Sequence, residues 1–261
     1  MSAPLPPPHE AAARLSFLPR GDGEVCLERE GALAVVRIDH PRRRNAMSVG
    51  MMLDLRSAVA ALETVPAAAV VVHGAGGDAF CAGGDLRAVR RHLLDPFAAG
   101  AMASVMTDTL GRLAGLPALV YGAVDGPALG GGAEILTACD HVTASVGSII
   151  GFVHARLGVS PGWGGGRRLV ERIGARRAAV VLGEARRLSA REAYDAGLVD
   201  ALVHEGTALA SVMGRARAAA TASLEAVSAA VRVAAGCEDE AAAFLSLWGA
   251  DAHLDALGMK P

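Results

Sequence analysis

The sequence predicts an α/β core that continues into a wholly helical C-terminal region. Strand-like apolar runs alternate with helical patterns from Val25 to Val203. From Thr207 onward an Ala-rich helical pattern continues without strand signals. Two glycine-rich turns, Phe80–Asp85 and Ala128–Glu134, each follow an apolar run and open a helix. The steps have no fixed period, which argues against a leucine-rich solenoid.

In chain order, Val25–Leu27 and Leu33–Asp39 read as a strand pair turning at Glu30-Gly31. Arg42-Arg43-Arg44-Asn45-Ala46 leads into a helix over Val49–Leu62, whose Met52, Leu55, Val59 and Leu62 recur at helical spacing. Ala69–His73 is a strand feeding the first glycine turn, and Asp85–Leu94 is helical. A longer helix, Ala101–Leu116, stops at Pro117 before the strand Ala118–Val124. After the second glycine turn come a helix through Glu134–Ala138, a strand at His141–Ala144, then Ile149-Ile150 and the turn holding His154. Pro161-Gly162-Trp163-Gly164-Gly165-Gly166 introduces a helix through Val170–Ile173. Helices at Ala175–Leu182 and Ala190–Ala196 and a short strand at Leu198–Val203 complete the core. The resulting division is a flexible arm over 1–21, a core over 22–203 and a helical region over 204–261 that is not expected to fold alone.

Of the 261 residues 52% are hydrophobic but only 3% aromatic, so the core must be built from Ala, Val, Leu and Ile. A net charge of −2 argues against a nucleic-acid partner held by a basic field. No apolar run approaches the length of a membrane span, and the mean hydropathy of +0.36 reflects Ala and Val content. Cys26, Cys81, Cys139 and Cys237 are scattered without metal-like spacing and read as reduced thiols. No cluster of Cys, His, Asp and Glu has metal-ligand spacing. The proline-bearing N-terminus lacks the apolar stretch of a secretory signal, and its prolines and Glu10 speak against a transit peptide; a cytoplasmic protein is expected.

The first amides of a helix have no partner within it, and the helix dipole adds positive potential there. Two such ends facing one point hold an anionic oxygen between two N–H donors. Taken singly, each glycine cluster also reads as a tight strand-to-helix turn. Glu134 stands three residues beyond Gly131, which places its carboxylate near whatever Gly131 holds; a first-turn glutamate also complements the helix dipole.

Several ordered motifs together resemble the crotonase (enoyl-CoA hydratase/isomerase) family. They are Arg44-Asn45-Ala46, Phe80–Asp85, Ala128–Glu134 with Cys139-Asp140, Leu157-Gly158-Val159-Ser160-Pro161 and Ala196-Gly197-Leu198-Val199. The resemblance implies a spiral of ββα turns, a homotrimer or dimer of trimers, and an acyl-CoA thioester as substrate. It also implies an oxyanion hole at the amides of Gly84 and Gly131, within the substrate-binding stretches Ala82, Gly83, Asp85, Leu86 and Gly130. By the same resemblance Arg42, Arg43, Arg44 and Ala46 lie beside the CoA nucleotide, with Arg87 a further phosphate partner; spacing alone does not choose among the arginines.

Hydratases of this family use two glutamates to activate water. Glu134 falls on the first position, but His154 stands where the second is expected, and imidazole does not replace a carboxylate in that chemistry. Phe152-Val153-His154, Leu157-Gly158, Ser160-Pro161, Trp163-Gly164-Gly165 and Leu247-Trp248-Gly249 are similar to the ethylmalonyl-CoA decarboxylase subgroup. That similarity implies decarboxylation of ethylmalonyl-CoA, methylmalonyl-CoA or another 2-alkylmalonyl-CoA. The thioester oxygen would accept the electrons as an enolate, and His154 or Glu134 would supply or relay the proton. No cofactor is then required beyond the coenzyme A of the substrate. Hydratase or isomerase activity, or a non-catalytic acyl-CoA-binding subunit, remain the alternatives. A Rossmann enzyme is disfavoured because a first-strand GxGxxG and its acidic ribose partner are missing. Trp163 and its glycines match no phosphate-loop pattern and read as close helix packing near the acyl pocket.

Overall fold

A computed structural model describes residues 4–259 and holds a mixed α/β architecture. The order begins α1 (Pro8–Ser16), β1 (Glu24–Glu30), β2 (Leu33–Asp39), α2 (Val49–Thr64), β3 (Ala69–Gly74), α3 (Leu86–His92) and α4 (Pro96–Ala114). It continues β4 (Leu119–Val124), β5 (Pro127–Leu129), α5 (Gly131–Leu136), β6 (His141–Ser145), β7 (Ile149–Gly151), α6 (Gly165–Ile173), α7 (Ala175–Glu184), β8 (Arg187–Ser189), α8 (Ala190–Asp195) and β9 (Ala201–Val203). Four helices close the chain: α9 (Ala208–Ala220), α10 (Leu224–Ala234), α11 (Glu240–Leu247) and α12 (Asp251–Ala256).

Six strands form the main sheet in the order β1-β2-β3-β4-β6-β9, with only the β1–β2 pair antiparallel. A smaller sheet, β5-β7-β8, stands beside it. The central strand β3 is Val-rich because both of its faces are covered, as parallel sheets require. Val70 and Val72 pack with Met52, Leu55 and Val59 of α2 and Met106 and Leu110 of α4. Ala69 and Val71 face the other way, onto Val212 and Ala216 of α9. The first tail helix therefore lies on the back of the sheet, and Ser228 of α10 ties on through the Pro117 carbonyl at 2.8 Å.

The structure moves several expected boundaries. The arm expected over 1–21 contains α1, whose Ala11 and Leu15, one helical turn apart, are buried against Val49 of α2 and Ala101 and Val105 of α4. Pro8 opens this helix at a position where a proline lacks nothing, since the N–H it removes would have no partner. Residues 1–3 of the arm and 260–261 of the tail lie outside the described residues. Helix α4 begins at Pro96 rather than Ala101 because Asp95 caps it, accepting from the Ala98 amide at 3.0 Å. The strand expected over Leu198–Val203 shrinks to Ala201–Val203, because the amides of Leu198 and Val199 turn back onto the Ala193 carbonyl. Trp248 is 64% exposed in this chain. Among the described residues no helix is long and apolar enough to cross a membrane.

Candidate active site

The two glycine turns meet. Pro127 accepts from the amides of Phe80 and Cys81 at 3.0 and 3.2 Å, and the Leu129 amide donates to the Cys81 carbonyl at 2.9 Å. On its other side the first turn is held by residues 44–47. The Ala82 amide donates to the Arg44 carbonyl at 2.9 Å, Met47 to Gly83 at 2.7 Å and Asp85 to Met47 at 2.9 Å. Asn45 fastens that strip from beneath. Its Oδ1 accepts from the His40 amide at 2.8 Å, and its Nδ2 donates to the carbonyls of Ala75 and Ala79 at 2.9 and 2.7 Å.

Gly130 sits at φ 55°, ψ −120°, a conformation a side chain would strain, and so turns the chain from β5 into α5. Its amide is taken by the Gly151 carbonyl at 2.8 Å. The amides of Gly84 and Gly131 have no acceptor among the described residues. A single side chain bounds the space above both glycines: a Cβ on Gly131 would overlap the Trp163 indole, 2.6 Å from Cε3, and one on Gly84 would lie 3.9 Å from Cζ2. Trp163 is itself buried. The result is a pair of free N–H groups against an apolar wall, an arrangement able to hold an oxyanion away from water.

One turn into α5, the Glu134 side chain is 1% exposed and meets His154, whose Nε2 is 3.0 Å from Oε1. His154 rides on a short 3-10 turn, Val153–Leu157, and its Nδ1 is buried without a hydrogen-bond partner among the described residues. The Glu134 carboxylate also accepts from the backbone of the Gly162–Gly165 loop: Oε1 from Gly162 at 3.3 Å, Oε2 from Trp163 at 2.8 Å and Gly165 at 2.9 Å. The loop expected as close packing is thus an anion cradle for an internal carboxylate. A glycine is needed at 165 because a Cβ there would stand 2.5 Å from that of Glu134.

Arg168 braces the arrangement, donating to Thr137 Oγ1 at 3.1 Å and to the Trp163 carbonyl at 2.8 Å. Burial lowers its pKa, against the opposing pull of the Glu134 and Glu171 charges. Thr107 of α4 fixes the same loop through the Gly162 carbonyl at 3.2 Å.

The sequence-predicted site residues divide in two. Gly84, Gly130, Gly131, Glu134 and His154 come together with Trp163, and Ala82 and Gly83 form the turn beneath them. The basic residues gather elsewhere, on the outer side of the first glycine turn. Arg43 and Arg87 line a cleft of about 180 Å³ with Asp85, Arg91 and His92. Arg42 and Arg43 line a neighbouring cleft of about 670 Å³ with Asp22, Asp39 and His40. Neither Arg44, Ala46 nor Leu86 lines either cleft: Arg44 is at φ 51° with an exposed side chain, Leu86 is 50% exposed, and the Ala46 carbonyl faces His40 Nδ1 at 3.2 Å. Sequence reasoning missed Arg91, His92 and the cradle around Glu134. The cradle's one visible sign was a run of glycines opening a helix.

Comparison with known proteins follows the same lines. The family profile described as enoyl-CoA hydratase/isomerase matches residues 28–243. An ethylmalonyl-CoA decarboxylase of Danio rerio is 36% identical over 263 residues, covering 95% of this chain and 86% of the relative. One of Mus musculus is 39% identical over 187 residues, covering 70% of this chain and 58% of the relative, less than two thirds of its length. A crystal structure of an enoyl-CoA hydratase from Bacillus anthracis has a TM-score of 0.83 at 26% identity, covering 90% of this chain and 95% of that one.

Proposed function

This chain belongs to the enoyl-CoA hydratase/isomerase family, and from that premise we propose that it is a lyase that decarboxylates a 2-alkylmalonyl-CoA, such as ethylmalonyl-CoA or methylmalonyl-CoA. The observation that carries the reading is the pairing of Glu134 with an imidazole beside two free amides. A water-adding site of this family would be expected to pair two carboxylates there. Relatives named ethylmalonyl-CoA decarboxylase support the same choice.

In this reading the thioester oxygen accepts from the amides of Gly84 and Gly131. Helix α5 has only six residues, so the amides themselves rather than a long helix dipole do the stabilising. The bond from Cα to the carboxylate breaks, CO2 leaves, and its electron pair becomes the enolate. Each donor is worth on the order of a hundredfold or more in rate. The Trp163 wall withholds water from the departing carboxylate, which weakens its solvation in the ground state. Because the thioester takes up the electron pair, the reaction needs no metal, pyridoxal or biotin. Arg42, Arg43 and Arg87 meet the CoA phosphates at the surface clefts. The proposal extends to a cytoplasmic homotrimer or pair of trimers; exposed Phe244, Leu245 and Trp248 give the tail an apolar face that supports assembly.

The test is incubation with a panel of malonyl-type and enoyl-CoA esters, followed by mass spectrometry of the products. Ethylmalonyl-CoA or methylmalonyl-CoA should lose CO2 faster than crotonyl-CoA gains water. Rapid hydration without decarboxylation overturns the reading in favour of a hydratase. Tight binding of CoA esters with no turnover makes the chain a binding subunit.

A further inference from the structure

The segment Pro161-Gly162-Trp163-Gly164-Gly165-Gly166 sets one large side chain among four glycines, so the indole is what it presents to its surroundings. The outer edge of that ring spans both glycine turns. Cε3, Cζ3 and Cη2 fill the place of a side chain on Gly131, and Cζ2 stands 3.9 Å from where a Cβ on Gly84 would lie. One carbon layer fits between Gly84 and the ring, and none between Gly131 and the ring. At the neighbouring Gly130, a Cβ would lie 3.9 Å from His154 Nε2, which is itself 3.0 Å from Glu134 Oε1.

The indole has little freedom to yield. The Trp163 amide donates to Glu134 Oε2 at 2.8 Å, and its carbonyl accepts from Arg168 at 2.8 Å. Just before it, the Gly162 carbonyl accepts from Thr107 at 3.2 Å. Trp163 is only 4% exposed, and a shift toward α5 would drive the ring into the main chain of Gly131. Close-packed surroundings of this kind do not open for an added methylene.

An oxygen held by both free amides lies between the two glycines. The acyl Cα is two bonds from that oxygen, so both of its substituents fall within reach of the ring edge. We propose that Trp163 is a specificity-determining residue whose indole limits the alkyl group on Cα to a short one such as methyl or ethyl. This inference rests on the decarboxylase reading and narrows its substrates: butylmalonyl-CoA and hexylmalonyl-CoA are refused on length alone.

The experiment compares the full-length wild type with Trp163→Phe and Trp163→Leu, each given ethyl-, butyl- and hexylmalonyl-CoA. One methylene in an apolar pocket is worth roughly 10–200-fold in discrimination. Wild-type kcat/KM should fall at least about tenfold from ethyl to butyl, Trp163→Leu should narrow that ratio to about threefold or less, and Trp163→Phe should lie between. Affinity for CoA itself should stay within about twofold in all three, because a sieve acts on the acyl group alone. A wild type that takes hexyl as readily as ethyl overturns the proposal. So does an unchanged ethyl-to-butyl ratio in Trp163→Leu, or a variant whose CoA affinity falls with its turnover, which would make the indole a structural prop. Should Trp163→Leu fail to fold, Trp163→Phe carries the comparison, and should both fail, the wild-type length profile decides. The same proteins are titrated with butyryl-, hexanoyl- and octanoyl-CoA, the saturated esters that these substrates would leave. Binding needs no reaction, so this series still judges the sieve if no malonyl ester is decarboxylated. Wild type should hold butyryl-CoA at least about tenfold more tightly than octanoyl-CoA, and equal affinities overturn the proposal.

Discussion

The Trp163 indole lies so close to Gly131 that no side chain fits between them. A Cβ added to Gly84, the other glycine with a free amide, would meet the same ring only at an ordinary contact distance of 3.9 Å. The two positions should therefore answer differently to the same substitution. Gly131→Ala should destabilise the protein by about 1–3 kcal/mol through overpacking and stop turnover. Gly84→Ala should stay within about 0.5 kcal/mol of wild type in stability. Pairing Gly131→Ala with Trp163→Leu should recover part of the lost stability in urea unfolding. Equal effects at both glycines would show that the indole is not the obstacle.

Arg43 and Arg87 share a cleft outside the reacting groups. Their removal should weaken ground and transition states alike. Arg43→Ala and Arg87→Ala should each raise KM for an acyl-CoA by about tenfold with kcat little changed. Steady-state kinetics at two salt concentrations checks this, because the wild-type advantage should shrink as salt screens the phosphates.

Asn45→Ala would strand two buried backbone groups, the His40 amide and the Ala79 carbonyl, and the half-buried Ala75 carbonyl. Asn45 also sits at φ 56°, where asparagine is better tolerated than alanine. A loss of about 3 kcal/mol is expected. Denaturant unfolding reads that loss, and a value near zero would mean that water replaces the amide.

The cysteines should separate by burial. Burial pushes the thiols of Cys81 and Cys139 up to about 12, so almost no thiolate forms at pH 8. Cys237 is exposed. Timed alkylation with mass spectrometry should modify Cys237 first and leave Cys81 and Cys139 intact until the protein unfolds. Early loss of Cys81 would contradict its place beneath the first glycine turn.

Stability should fall as the pH drops below neutrality. His73 and His141 are both held below the ordinary histidine value of 6.5, in each case chiefly by burial. Arg37 adds to the effect at His73, and Arg215 at His141. Between each depressed folded value and 6.5 the unfolded chain binds more protons, so stability rises with pH there. The contribution is whole above 6.5 and is lost as pH falls through the folded values. Desolvation shifts Asp140 the opposite way, upward from 3.8, and it acts in a more acidic range. Urea midpoints at pH 7.5 and 5.5 should differ less in His73→Gln than in the wild type.

What could be read from the sequence follows from how far each signal reaches along the chain. The β1–β2 pair, α2, β3 and β4 announce themselves through period and Val content within a few residues. Strands β5 and β8 have three residues each, too few to show any period. Helix α1 was masked by prolines, although Ala11 and Leu15 already formed its buried stripe. At the site, Glu134 was placed near Gly131 by a three-residue spacing, and the structure keeps them one turn apart. The backbone partners of its carboxylate lie 28 to 31 residues downstream, and backbone amides carry no side-chain signature. No local pattern could have named them. His154 stood out only as a departure from a family motif.

Because the Glu134 cradle is made of main chain, the two halves of the pair differ in how they can be redesigned. Substituting the donors at 162 or 163 leaves their N–H groups in place, proline excepted, and 165 is kept as glycine by the closeness of Glu134, so the anion is inherited with the loop. The partner at 154 is held by a side chain alone and can be exchanged one codon at a time. A designer seeking new acyl-CoA chemistry on this scaffold would treat position 154 as the interchangeable tool and the Gly162–Gly165 loop as its fixed handle.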